Sequence, residues 1–500
     1  MQVKKTNHLT HATPVFEVLT EEEIEAIYFS ALSVLYETGV RVYNKEGYDL
    51  AHSGGAIVED VTEDSALVKL PPEMVDKARA TLPKKVVVYG PGRKHKMELY
   101  KNQIYFGSGS DTPFTIDPYT NERRRAEYKD VKNFARLAEA LPNLDFHMSL
   151  GIVQDTSVGT YDRWQYLAML EGTTKPINIT AVDLDGLKDQ LEMAYIRVGG
   201  EKEWLKGPIF SLYIEPVSPL SHSVEVIDKL LFSADKRIPF VYTPCPLAGA
   251  TSPTTLAGTA VQALTESLLG IVLSQLRKPG APMIIGGLMS NMDMRTAVYS
   301  YGSPEMALLS AAYTQITKWL GVPMYETAGC SDTKLYDGQA ALESTINIAT
   351  AALTGGNMIH DVGYIEQGLT SSPELYVASN ETISRVKRIL RGIPVNDETK
   401  ALDVIEDVGP GGHYLAHDHT FDRFKTEIWR PEMINRQSHE EWEAAGSKTY
   451  RERIHEKVVS ILDKEETILD EGMYKELRRV CELADERHAS EELDVDMFVA

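Results

Sequence analysis

Between residues 107 and 391 the sequence alternates short apolar runs with segments of helical period, and this rhythm constrains the fold more than any other feature. Eight runs read as strands: 113–117, 144–151, 176–182, 208–214, 239–244, 282–288, 323–328 and 357–363. Six of the eight begin at a proline, where the missing N–H costs no ladder hydrogen bond, and five of those prolines close a preceding helix. Each run is followed by a helix-period segment, from 130–141, with Val131, Phe134, Leu137, Ala138 and Leu141 on one stripe, through the long 254–277 to 373–391. Regular βα alternation on this scale predicts an α/β chain built on a (β/α)8 TIM barrel, with an open doubly wound sheet as the alternative.

Flanking segments break the rhythm. Residues 1–106 read as an N-terminal α+β extension, opening with a helix over 20–38 that Thr20 and Glu23 cap and Gly39 ends. The barrel is assigned to 107–400, and 401–500 to a C-terminal segment with a charged helical tail.

The balance of charge narrows function. With 73 Asp and Glu against 51 Lys and Arg, the net charge of -22 disfavours nucleic acid, since phosphate binding needs a basic face. Three scattered cysteines, Cys245, Cys330 and Cys481, make no disulfide framework. The first twenty residues lack a signal-peptide core, and no run reaches the ~20 apolar residues of a membrane helix. The expectation is a cytoplasmic enzyme, and the charged C-terminal helices fit a homo-oligomer.

In a parallel barrel the chemistry sits where strands end. The stretch NMIHDVGYIE ends an apolar run in His360, Asp361, Tyr364 and Glu366, and the other run ends supply Asp111, Phe114, Gln154, Tyr213, Glu215, Tyr242, Cys245, Met292 and Asp332 among others. Aromatic, Met and carboxylate groups dominate; Lys and Arg are few. That palette suits a cation without hydrogen-bond donors, such as a quaternary ammonium held by ring faces at about 0.5–2 kcal/mol each. For any one of these rings, packing at the barrel mouth is an equal alternative.

Three longer stretches carry a resemblance: FGSGSDTPFTIDPYTNERRRAEYKDV (106–131), GCSDTKLYDGQAALES (329–344) and GPGGHYLAHDHTFDRFKTEIWRP (409–431). Together they resemble the trimethylamine methyltransferase family over most of the chain. The resemblance implies a (β/α)8 barrel that moves a methyl group from an amine to the Co(I) corrinoid (cobalamin) of a separate corrinoid protein, with no tightly bound cofactor and no metal of its own. Archaeal trimethylamine enzymes carry pyrrolysine near the end of the seventh strand, whereas the region from Cys330 to Lys334 holds only ordinary residues. The chain therefore looks like the non-pyrrolysine branch, which implies a quaternary amine donor, with glycine betaine first and proline betaine or carnitine as alternatives.

On that resemblance Phe114, Tyr213, Tyr242 and Tyr364 are expected to lend aromatic faces, and Glu215 and Glu366 compensating charge. His360 is expected to donate to a substrate carboxylate, and His360, Glu215 and Asp332 are the catalytic candidates. Two other readings stand beside it. One is a metal-assisted barrel hydrolase or lyase using His413, His417 and His419 with Asp361 or Asp418. The other is a non-catalytic betaine-binding protein.

Overall fold

The computed structural model describes residue 7, residues 15–464 and residues 468–488. Most of the N-terminal stretch read for a leader, and residues 465–467 and 489–500 of the C-terminal segment, lie outside the described residues. At the centre is a seven-stranded parallel sheet curled in the manner of a TIM barrel. Its strands in chain order are β1 (Tyr105–Ser108), β2 (Ile177–Ile179), β3 (Phe210–Ile214), β4 (Phe240–Tyr242), β5 (Met283–Gly286), β6 (Met324–Thr327) and β7 (Met358–Val362). The spatial order is β1-β7-β6-β5-β4-β3-β2, so neighbours follow in sequence except where β1 pairs with β7. The two outer strands are each bridged in parallel to one short segment, Gly107 to Phe146 and Ile177 to His147.

The prolines work as the sequence predicts, and their carbonyls explain why they are tolerated. Pro176, Pro208, Pro239, Pro282 and Pro323 each stand just before a strand and accept a backbone N–H, from His147, Tyr89, Leu212, Phe240 and Ile285. Each thus contributes an acceptor at a place where no donor is needed.

Run 113–117 is corrected. Phe114–Ile116 is a strand, but it belongs to a separate four-stranded sheet with Arg123–Arg125, Thr370–Ser371 and Tyr364–Ile365. The first barrel strand is Tyr105–Ser108, which begins inside the segment assigned to the N-terminal extension. A second small sheet joins Leu247–Ala248 to the hairpin of Ser290–Asp293 and Val298–Ser300. Both small sheets grow from loops that follow barrel strands, so they wall the mouth. The opposite end is plugged by the hairpin Val86–Tyr89 and Lys96–Leu99, whose Val86, Val88, Met97 and Leu99 pack with Phe146, Val241, Ile284 and Met358.

The N-terminal extension has no core of its own. Its first helix, Glu21–Ser33, carries the Thr20/Glu23 capping box and runs into a π-turn, Val34–Thr38. That extra residue per turn rotates the stripe, so Leu35 is buried and Val34 only half-buried. Ile24, Ile27, Ala31, Val40 and Val75 join the same cluster as Leu264, Leu268 and Val272 of the helix Leu256–Arg277. Among the described residues that helix alone is long and apolar enough to cross a membrane, and most of it is buried between the barrel and the extension.

Candidate active site at the barrel mouth

Strand parity decides which side chains reach the interior. In β3, Ser211 and Tyr213 point inward, which puts Glu215 just past the strand on the same side. Glu215 as a residue is open to solvent, while its carboxyl end has Tyr213, Cys245, His360 and Asp361 beside it. The Tyr213 hydroxyl donates to Glu215 Oε2 at 2.6 Å and lies 3.9 Å from Cys245 Sγ. Burial pushes the Glu215 carboxyl above its ordinary range, more than the hydrogen bonds from Tyr213 and Cys245 pull it down, and the nearby Asp361 charge adds to the rise.

β6 and β7 supply the facing wall. Tyr325 and His360 stack with ring centroids 3.8 Å apart, and Tyr213 packs obliquely on Tyr325 at 5.9 Å. His360 Nδ1 stands 2.6 Å from Asp361 Oδ1 and Nε2 stands 3.0 Å from Thr327 Oγ1. Nδ1 faces a carboxylate and so carries a hydrogen, and Nε2 pairs with the Thr327 hydroxyl. Asp361 interrupts the strand: its φ is +72°, and the register with β1 slips between Ile359 and Val362. Its Oδ2 is buried without a hydrogen-bond partner.

Two further tyrosines come from the mouth hairpin. Tyr301 packs edge-on against Tyr364 at 6.1 Å and against Tyr299 at 4.7 Å. Burial first, then the Asp361 charge, holds the Tyr301, Tyr325 and Tyr364 hydroxyls well above the usual phenol range. Tyr364 lies flat over Gly109, where an added Cβ would stand 2.1 Å from the ring, and its hydroxyl is 3.3 Å from Ser110 Oγ.

Of the residues predicted from the strand ends, Tyr213, Glu215, His360 and Tyr364 come together here. Four others stand apart. Tyr242 faces outward: its hydroxyl is 2.6 Å from His222 Nδ1, and its ring fits against Gly270 of the helix Leu256–Arg277. Asp332 is saturated by the mouth hairpin, accepting from Ser300 Oγ at 2.6 Å, Tyr301 N at 2.6 Å and Gly302 N at 3.0 Å. These bonds anchor the loop to the hairpin. The Phe114 face is covered by the Arg123 guanidinium at 3.5 Å, and Glu366 is paired with that same Arg123 at 2.7 Å. A cation of the chain itself thus occupies the ring and the charge expected for the substrate.

The histidine block is structural. His417 caps the helix Asp418–Glu427 by accepting from His419 N, and its Nε2 lies 3.2 Å from Asp407. Among the described residues no three His, Cys, Asp or Glu side chains gather as a metal site.

A sequence model of the trimethylamine methyltransferase family matches residues 1–489. The chain belongs to the trimethylamine methyltransferase family. It is 33% identical over 457 residues to trimethylamine methyltransferase MttB of Desulfitobacterium hafniense strain DSM 10664 / DCB-2, covering 89% of each chain. It is also 28% identical to a glycine betaine methyltransferase of Desulfitobacterium hafniense strain Y51, over 90% of this chain and 93% of the relative. The Methanosarcina barkeri monomethylamine methyltransferase MtmB has the same fold, with a TM-score of 0.51 at 11% identity over 90% of this chain and 88% of that one. As a member of the family the chain is a methyltransferase, and identities near 30% leave its substrate open.

Within this family member, sequence reading passed over Tyr299, Tyr301 and Tyr325, and treated Asp361 only as an alternative metal ligand. Tyr325 was legible in principle, because two residues after it Thr327 faces the same interior as His360. The hairpin tyrosines carried no periodic signal, since their loop lies outside the βα rhythm.

Proposed function

We propose that this methyltransferase takes a methyl group from a quaternary amine, glycine betaine first, and passes it to the Co(I) corrinoid of a separate corrinoid protein. One observation carries the reading: a recess walled by Tyr213, Tyr325 and Tyr364 and bearing two carboxylates, Glu215 and Asp361, with no Lys or Arg nitrogen within 4 Å of either among the described residues. Ring faces and unpaired negative charge suit a permanent cation. The relative named for glycine betaine supports that donor, with proline betaine and carnitine as the other candidates.

In the transfer the methyl–nitrogen bond breaks with its electron pair going to nitrogen, while the electron pair of the reduced cobalt forms the new bond to carbon. A quaternary nitrogen leaves as a neutral tertiary amine, so no general acid is needed, and the chain's work is to hold the ammonium head in line and keep water out. Tyr213, Tyr325 and Tyr364 supply faces, Glu215 supplies charge, and His360 is engaged at both ring nitrogens, so donating to a substrate carboxylate requires Nε2 to gain a proton and leave Thr327. A second reading rests on Glu215. A tertiary amine must be protonated before it can leave, and a carboxyl raised by burial is a group suited to that task.

We also infer that the segment bridging β1 and β2 is the eighth stave of a (β/α)8 ring, that 1–106 and 401–500 are extensions of the barrel assigned to 107–400, and that the protein is a homo-oligomer. Ile393, Leu415 and Phe421 are 80%, 87% and 75% exposed on the C-terminal segment, which supports the last point. The deciding experiment measures methylation of a corrinoid protein, or of free cob(I)alamin, with glycine betaine, proline betaine, carnitine and trimethylamine. Transfer from a betaine is expected; transfer from trimethylamine alone favours the second reading, and transfer from none removes both.

A further inference from the structure

We propose that Asp361 is the residue that receives the donor's ammonium head, with Oδ2 as the contacting atom, and that Glu215 is the secondary charge of the recess. This rests on the quaternary-amine reading above and names the group that carries it.

Three independent observations converge on this oxygen. Asp361 is 2% exposed, and Oδ2 has no hydrogen-bond partner. A buried carboxylate oxygen left unsatisfied is disfavoured, so native proteins retain one where a ligand, ion or water completes it. The backbone is also held in a disfavoured shape, since a residue with a Cβ rarely adopts a φ of +72°. That shape is a local slip in register between Ile359 and Val362, and such bulges serve to re-aim a side chain. Finally, the carboxyl lies among the groups that line the recess. The Asp361 charge acts on Tyr301, Tyr325, Tyr364, Cys245, Cys330 and Glu215, which come from loops or strands all around the mouth.

The division of labour between the two acids follows from their partners. Glu215 is raised by burial and by Asp361 itself, and two carboxylates facing one space do not readily ionise together. Asp361 accepts the His360 N–H on Oδ1 and keeps Oδ2 without a hydrogen-bond partner. A trimethylammonium head has no N–H to offer, so it approaches Oδ2 by contact of charge alone. The tyrosine faces complete the enclosure.

The test compares each ammonium compound with its uncharged carbon isostere: glycine betaine with 3,3-dimethylbutanoate, and choline with 3,3-dimethylbutanol. Binding is measured by calorimetry on the full chain without any corrinoid. Wild type is expected to favour the ammonium member of at least one pair by tenfold or more. Asp361→Asn keeps an acceptor for His360 and tolerates positive φ, and in it the preference should fall to within about threefold. Glu215→Gln should retain most of the preference. If Asp361→Asn does not fold, Asp361→Gly, which suits the backbone better still, takes its place. A structure with glycine betaine bound, which needs no variant, should put the nitrogen within about 6 Å of Oδ2. A folded variant with the wild-type preference, or a head seated away from Oδ2, overturns the assignment of Asp361 and leaves the proposed function standing. Absence of any preference in wild type overturns both.

Discussion

Single residues set the proton chemistry. Glu215 is raised in the free protein, so a bound cation that favours its ionised form must expel a proton, and affinity should tighten as pH rises above the ordinary carboxylate range. The groups facing it are Tyr213, Cys245, His360 and Asp361. Calorimetry of the ammonium donor across pH in two buffers should show that proton release, and Glu215→Gln should flatten the dependence. Glu266 offers a matching test on stability. Burial pushes its carboxyl up to about 7 although Ser218, Leu220 and Gln262 donate to it. The folded state then binds the proton more tightly than the unfolded state, so stability contributed by this group is present below about pH 4.5 and is lost as pH rises through 7. Relative to Glu266→Gln, wild type should lose on the order of 3 kcal/mol between pH 4 and pH 8 in denaturant titrations.

At the scale of elements, the loops beyond the strands do the arranging. Asp332 ties the end of β6 to the mouth hairpin through three hydrogen bonds, and Arg123 ties the loop after β1 to the loop after β7 through Phe114 and Glu366. Asp332→Asn replaces one of the two acceptor oxygens by a donor, which would face the N–H of Tyr301 or of Gly302, and should cost about 1–3 kcal/mol of stability. It should also weaken donor binding through Tyr299 and Tyr301 without touching the donor. Unfolding and binding measured on the same variant would separate this from a catalytic role, in which turnover would fall while affinity held. Six of the eight predicted runs became strands of the central sheet, five of them apolar runs that follow a proline and the sixth, 357–363, an apolar run that ends in polar groups. The first strand of that sheet was not legible, because Tyr105–Ser108 holds a glycine and a serine and reads weaker than the wall strand Phe114–Ile116. For the site, Tyr213, Glu215, His360 and Tyr364 followed from being at run ends. Tyr242 did not join them because a strand of three residues gives no parity to read, and Asp332 and Glu366 look like site acids until their partners are seen.

For the whole molecule, the C-terminal segment and the N-terminal extension meet different needs. Between Ile389 and Ile428 the chain leaves Ile393, Val395, Leu402, Leu415 and Phe421 open to solvent, more apolar surface than a lone chain ordinarily keeps. Sedimentation should find a homo-oligomer, and the paired change Leu415→Asp with Phe421→Asp should shift it toward smaller species; a monomeric wild type would end that expectation. The extension is bound inward instead. Arg79 donates to the carbonyls of Trp319 and Leu320, and the Gln315 side chain accepts from the N–H groups of Val18 and Leu19. These partners are separated by 240 residues or more along the chain. At translation rates of roughly 5–20 residues per second, the extension leaves the ribosome on the order of tens of seconds before the surface it must cover. The newborn extension therefore spends that interval with its apolar stripe bare, open to holding chaperones until the helix Leu256–Arg277 has been made.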